Sequence, residues 1–192
     1  MSDYMVSETS GPVAIRYRPI VVWIHWIAAA LILFQIWLGH YFHDLPRGSA
    51  ERMEAFGWHK TLGALILILS LARVAVRLMN PPPPYPTEMA RWERALAVWT
   101  HRLFYILLII LPLTGLAAAS GRAEGGFVDL QLGLKLPAIP GVPKDNEFGD
   151  IHEMLVWVTI GLLVLHVAGA LKHQFIDRGP SADRMPPFRS TH

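Results

Sequence analysis

The stretch DIHEMLVWVTIGLLVLHVAGALKH, residues 150–173, decides the fold. From Met154 to Leu171 it carries no Asp, Glu, Lys or Arg, and as a helix that run is long enough to cross the apolar part of a bilayer. His152 stands just before the run and His166 inside it. An imidazole in hydrocarbon must find partners for its ring nitrogens, because an unpaired polar group there costs roughly several kcal/mol. The two histidines are two heptads apart, so they share nearly one helix face. At about 1.5 Å per residue they sit about 21 Å apart along the axis. The segment therefore reads as a membrane helix offering one kind of polar group at two depths.

Working outward, Pro19 to His43 and Leu103 to Gly121 are likewise free of charged residues. A weaker span lies between them, where only Thr61 to Ala72 is uncharged but Lys60, Arg73 and Arg77 lie near the ends and can snorkel. The expectation is an all-α, four-helix transmembrane bundle forming a single integral membrane domain over 1–192. Its spans are about 19–42, 56–78, 99–120 and 150–173, with a long outer loop at 121–149. The Gly- and Pro-rich composition of that loop and the PPPP run at 81–84 cannot continue helices. The opening MSDYMVSETSGPVAIRYRPI lacks the short apolar region and small-residue cleavage site of a signal peptide, so the first span is expected to remain in the mature protein.

Composition agrees. Of 192 residues, 53% are hydrophobic, and the mean hydropathy of +0.34 is too high for an ordinary soluble domain. The absence of cysteine excludes disulfide frameworks, thiolate-ligated iron, zinc-finger clusters and cysteine nucleophiles together. A net charge of +2 and a pI near 9.1 do not indicate nucleic acid, since Lys and Arg gather at span ends rather than in a patch. Those charges mark topology instead. With four spans, eleven of the seventeen Lys and Arg share the side of both termini: Arg16, Arg18, Arg73, Arg77, Arg91, Arg94, Arg102, Lys172, Arg178, Arg184 and Arg189. Arg47, Arg52, Lys60, Arg122, Lys135 and Lys144 lie opposite. The positive-inside rule then puts both termini in the cytoplasm of a multi-pass inner-membrane protein.

Depth matching pairs the histidines. His25 lies about as far from the cytoplasmic end of the first span as His166 does from that of the fourth, while His59 and His152 each begin a span at the outer side. Two facing imidazoles suit the axial positions of a haem iron, and the surrounding Leu, Ile, Val, Trp and Phe suit the flat apolar macrocycle, so two haems b fit. Gly63, Ala168, Gly169 and Ala170 would let a ring lie close to backbone. Arg73 again follows a histidine, His59, by two heptads and, with Arg77, is placed either to pair with haem propionates or to act as a positive-inside anchor. His101 opens the third span, where it is a candidate to compete with His25, contact a propionate or serve a quinone. A zinc or proton-relay site is disfavoured because no Asp or Glu lies within the apolar interiors. His40, His43, His173 and His192 fall at span ends or in a tail and read as solvated, and the Trp residues read as interface anchors.

The segments RYRPIVVWIHWIAAALILFQIWLG, WHKTLGALILILSLARVAVRL, THRLFYILLIILPLTGL and IHEMLVWVTIGLLVLHVAGALKHQF resemble the four helices of the bacterial cytochrome b561 family, over nearly the whole chain from Arg16. The histidine spacing is also similar to the di-haem cytochrome b subunits of membrane-bound hydrogenases and formate dehydrogenases. The resemblance implies that His25 and His166 ligate the iron of a cytoplasmic-side haem and His59 and His152 that of an outer one. It also implies single-electron transfer between a quinone pool and the periplasmic face, and one branch of the family oxidises superoxide while reducing ubiquinone. The chain ends soon after the fourth helix, which matches the free-standing branch and leaves further redox centres to other proteins or small molecules.

Three functions follow as expectations. The first is a superoxide:quinone oxidoreductase, with ubiquinone as substrate or bound quinone and with Lys60, Arg122, Lys135 and Lys144 drawing an anion toward the outer haem. The second is a haem-carrying membrane anchor that passes electrons between the quinone pool and a periplasmic dehydrogenase or carrier docked on the 121–149 loop. The third, a helical transporter using histidines as proton sites, would show no b-type visible spectrum.

Overall fold

A computed structural model describes residues 16–82, 85, 89–177 and 185. Arg178, Arg184, Arg189 and His192, and Pro83 and Pro84 of the proline run, lie outside the described residues. Among the described residues, four helices are long and apolar enough to cross a membrane. They are α1 (Pro19–Asp44), α2 (Ala50–Met79), α3 (Arg91–Ser120) and α4 (Phe148–Leu171). A π-helical turn, Lys172–Asp177, continues α4.

Local chemistry sets the ends. Pro19 occupies the first turn of α1, where no backbone donor is needed. Leu45, ahead of Pro46, is extended, the conformation favoured before proline, and stops the helix. Ser49 caps α2 by accepting from the Arg52 backbone N–H at 3.2 Å, and Glu51 complements the helix dipole. This cap starts α2 well before the expected span. α3 likewise begins early, at Arg91, because a helix continues past the hydrocarbon wherever its polar residues find partners. Glu93 finds one in Lys172 at 2.7 Å, and Lys172 also reaches Asp177 at 2.8 Å. Arg18 similarly ties the start of α1 to Asn80 at the end of α2, at 2.6 Å.

Consecutive helices pack closely as α1 on α2, α2 on α3 and α3 on α4. Their inward positions are mostly small, with Ala28, Ala55, Gly57, Ser70, Ala117 and Ser120 buried. Thr159, midway between His152 and His166, is only 1% exposed. Large apolar side chains such as Trp23, Trp37, Ile68 and Val164 point outward, as lipid-facing surfaces require.

The 121–149 segment is more ordered than a bare connection. Strands β1 (Phe127–Asp129) and β2 (Lys135–Pro137) form an antiparallel hairpin in the register Phe127 to Pro137, Val128 to Leu136 and Asp129 to Lys135. The turn between them holds Leu132 at φ 63° and Gly133 at φ 71°. Gln131 in that turn docks on α2, its backbone N–H donating to Thr61 Oγ1 at 2.9 Å and its side chain to the Glu54 carbonyl at 3.0 Å. Val128 is buried and Ile139 donates to Ser120 Oγ at 3.0 Å, so the hairpin is fixed to the ends of both α2 and α3.

Candidate functional site

Four histidines from three helices meet as two pairs inside the bundle. At the end of the bundle nearer the chain termini, His25 of α1 faces His166 of α4 with ring centres 6.1 Å apart and planes crossed at 64°. At the end nearer the 121–149 loop, His59 of α2 faces His152 of α4, also at 6.1 Å and crossed at 82°. A metal held between two imidazoles requires ring centres roughly 6.3 Å apart, from metal–nitrogen bonds of ~2.0–2.1 Å and ~1.1 Å from each nitrogen to its ring centre. Both pairs match that span. Among the described residues, no group of three or more His, Asp or Glu side chains is arranged to hold a bare metal ion. Two opposed imidazoles alone suit an iron that brings its own equatorial ligands, as haem does.

The loop-end pair rests on glycine. A Cβ on Gly115 of α3 would stand 3.1 Å from Cε1 of His152, and one on Gly39 of α1 would stand 3.3 Å from Cε1 of His59. Both rings thus lie against backbone that no larger residue would leave open. Pro112, inside α3, cannot donate to the carbonyl one turn back, and beside it the helix backbone serves side chains. The Leu111 carbonyl accepts from His152 Nδ1 at 2.9 Å and from Thr114 Oγ1 at 2.7 Å. With the proton on Nδ1, the Nε2 lone pair of His152 is available to a metal. Nδ1 of His59 is buried without a hydrogen-bond partner. Phe42 packs across the His59 ring at 5.1 Å.

The terminal-end pair has cationic company. Arg73 donates from its guanidinium to His25 Nδ1 at 2.9 Å and lies over the Tyr105 ring at 5.8 Å. Arg77, one turn on, is half-buried. His101 stands 5.2 Å from His166 with its plane perpendicular, too close for a metal to sit between them as the rings stand. Its Nδ1 donates to the Ala97 carbonyl at 2.6 Å. Phe104 packs on His166 at 5.4 Å.

Of the residues singled out from sequence, the fold brings together His25, His166, Arg73 and His101 at one end and His59 and His152 at the other. His40 instead packs against Trp157 at 5.7 Å, and His173 pairs with Asp177 at 2.7 Å. Gly63 lies against the Gln35 amide rather than an imidazole, and nothing approaches the Cβ position of Gly169 within 4 Å. The glycines that do back the rings, Gly39 and Gly115, each sit on a different helix from the histidine they back. No local spacing could reveal them; the proline inside a charge-free span at 112 is the one readable signal.

A membrane bundle with paired imidazoles at two depths, glycine-backed at the loop end and lined by aromatic and aliphatic side chains, fits haem b and defines a membrane cytochrome. Sequence comparison agrees. Residues 16–187 match the family described as prokaryotic cytochrome b561, and the chain belongs to that family. It is a transmembrane haem b electron-transfer protein. Cytochrome b561 homolog 2 of Escherichia coli K12 is 29% identical over 88% of this chain and 90% of its own length. Cytochrome b561 homolog 1 of the same strain is 26% identical, over 91% and 98%. A protein of Yersinia pestis named probable superoxide oxidase CybB is 25% identical, over 90% and 96%.

Proposed function

We propose that this chain carries single electrons across the bacterial inner membrane, from superoxide at the periplasmic face to ubiquinone in the bilayer, through two haems b. In this reading the whole chain is one di-haem domain with both termini cytoplasmic and the 121–149 loop outside. His59 and His152 hold the outer haem, and His25 and His166 the cytoplasmic-side one. Each haem supplies a one-electron iron couple when bound. Two superoxide anions each give up one electron and leave as dioxygen, and ubiquinone takes the two electrons and two protons to become ubiquinol.

The observation that carries the reading is the 6.1 Å separation of paired rings, repeated at two positions of one face of α4. The chain's own groups favour inward flow. His152 gives its Nδ1 proton to the Leu111 carbonyl, which strengthens the imidazole as a donor and favours oxidised iron. Arg73 does the reverse at His25: with iron on Nε2 the Nδ1 would carry a proton that a guanidinium cannot accept, so its contribution is a positive charge beside the ring, which favours reduced iron. Electrons therefore fall from the outer site to the inner one. Arg73, Arg77 and His101 are the groups available there to propionates or a quinone head. At the outer end Lys60, next to His59 and 5.1 Å from the Phe56 ring centre, offers a cation to a small anion. The name of the Yersinia pestis relative supports superoxide as that anion.

The test is a sustained superoxide flux supplied to the purified protein. Haems that become reduced, and are reoxidised by added ubiquinone, support the reading. Haems that stay oxidised under the flux yet are reduced by a quinol or a periplasmic dehydrogenase would make the chain an electron-carrying anchor for a partner enzyme.

A further inference from the structure

Around His59 two buried polar atoms stand without hydrogen-bond partners, His59 Nδ1 and Gln35 Oε1. They belong to one small site. Gln35 on α1 donates its Nε2–H to the main-chain carbonyl of His59 at 2.6 Å. Its amide also fills the space beside Gly63, one turn after His59, 3.4 Å from where a Cβ would stand. Gly39, one turn after Gln35 on the same face of α1, has its Cβ position 3.7 Å from His59 Nδ1. The Nδ1–Cε1 edge of the ring thus lies by the strip of α1 that carries Gln35, Gly39 and Phe42, and the ring also meets His152.

An imidazole that gives its Nε2 lone pair to a metal carries its proton on Nδ1, and that proton needs an acceptor. At His152 the acceptor is the Leu111 carbonyl. At His59 no backbone carbonyl takes the role, and the nearby unsatisfied acceptor is the side-chain carbonyl of Gln35. We propose that Gln35 is the positioning residue of His59. Its amide clamps one residue twice, the N–H on the main-chain carbonyl and the C=O on the ring Nδ1–H, and so sets how strongly His59 donates to the outer haem iron. As the side chains stand both atoms are buried without a partner, and the second bond would form by rotation of ring or amide. The inference rests on His59 being a haem ligand, as proposed above.

The experiment is a potentiometric titration of the haem-loaded, full-length protein, followed by visible absorbance for each haem. The outer haem is identified as the one missing from His59→Ala. In Gln35→Leu the ring loses its acceptor and donates less, so the reduction equilibrium of the outer haem should shift about tenfold toward the reduced form, about 59 mV for one electron, with the other haem unmoved. Gln35→Glu offers a stronger acceptor and should move the same haem the opposite way. If the leucine variant fails to load haem, the glutamate variant decides alone by the direction of its shift. A merely structural tie between α1 and α2 would lower thermal stability and leave both potentials in place, which overturns the proposal. Selective haem loss in His59→Ala with unmoved potentials in the Gln35 variants overturns the role of Gln35 alone. Retention of both haems in His59→Ala removes the ligand reading and this inference with it.

Discussion

At the loop end of the bundle, His59 and His152 face each other with glycine backbone behind each ring, a main-chain carbonyl on Nδ1 of His152 and no partner on Nδ1 of His59. At the terminal end, His25 and His166 stand the same 6.1 Å apart but share their space with a guanidinium and a third imidazole. Ring separation is what an iron between two imidazoles would require, and both ends match it alike. The groups behind the rings belong to the protein, and on the proposed ligation they differ in the sense that would make the terminal-end iron easier to reduce. In the proposed di-haem reading, a pair of chemically similar cofactors at two depths would become directional in this way, without any difference in ligand type. The hairpin segment is pinned to α2 and α3 at the loop end, through Gln131 and Ile139.

The largest effect that can break this comparison is loss of a ligand. His59→Ala and His152→Ala should each remove the same haem, and His25→Ala and His166→Ala the other, halving haem per chain in every case by pyridine haemochrome. Full retention in His25→Ala together with loss in His101→Ala would transfer the axial position to α3. Next comes the glycine backing. Gly115→Val places methyl groups where even a Cβ stands 3.1 Å from His152, and should weaken haem retention at the loop end by roughly 10- to 100-fold, the range typical for groups that orient ligands. Gly169→Ala at the terminal end, with open space at its Cβ position, should retain both haems. Equal losses in the two variants would show that glycine serves helix packing in general and not the rings.

How much of this is legible in the sequence follows from the range of each interaction. Charge-free runs identify the four membrane helices, because hydrocarbon tests every residue of a span at once. The helix ends depart from those runs where polar chemistry takes over, at Ser49 for α2 and at Glu93 for α3. His101 shows the consequence: it lies well inside α3, at the level of His166, and does not open the helix. The two-heptad spacing on α4 places two histidines on one face, and depth alone puts His25 opposite His166 and His59 opposite His152. What surrounds those rings depends on the rotation of the other helices about their axes. Gly39, Gly115 and Gln35 owe their positions to that rotation, and Gln131 to a docking on a helix far back along the chain. A sequence read one segment at a time carries no measure of either.

The cationic half of the comparison can be sharpened at Arg73. Arg73→Leu removes a positive charge beside His25, so the terminal-end haem should become harder to reduce by about tenfold in its equilibrium constant, about 59 mV for one electron. Arg73→Lys keeps the charge on a shorter donor set and should retain part of the difference. Potentials that do not move would mean that Arg73 serves only as an anchor at the membrane boundary, and the inward bias would need another source.

The smallest expected effect lies at the loop-end surface. Lys60 follows His59 directly, and its ammonium, over Phe56, is half-buried rather than fully solvated. Lys135 is paired with Asp129 at 3.4 Å and both are well exposed, so that pair adds little net field. Lys60 is therefore the cation best placed to bias the approach of a small anion. Steering of this kind acts on the encounter rate and is screened over about 10 Å at about 0.1 M ionic strength. Lys60→Gln should slow haem reduction by superoxide a few-fold at low salt, and the difference from the unaltered protein should close as salt is raised. Haem content and potentials should stay as they were, since the ammonium sits over Phe56 and not against either loop-end imidazole. A rate that is insensitive to both salt and Lys60→Gln would place the point of electron entry away from this end of α2, and would remove the reason for assigning the small-anion reaction to the glycine-backed pair.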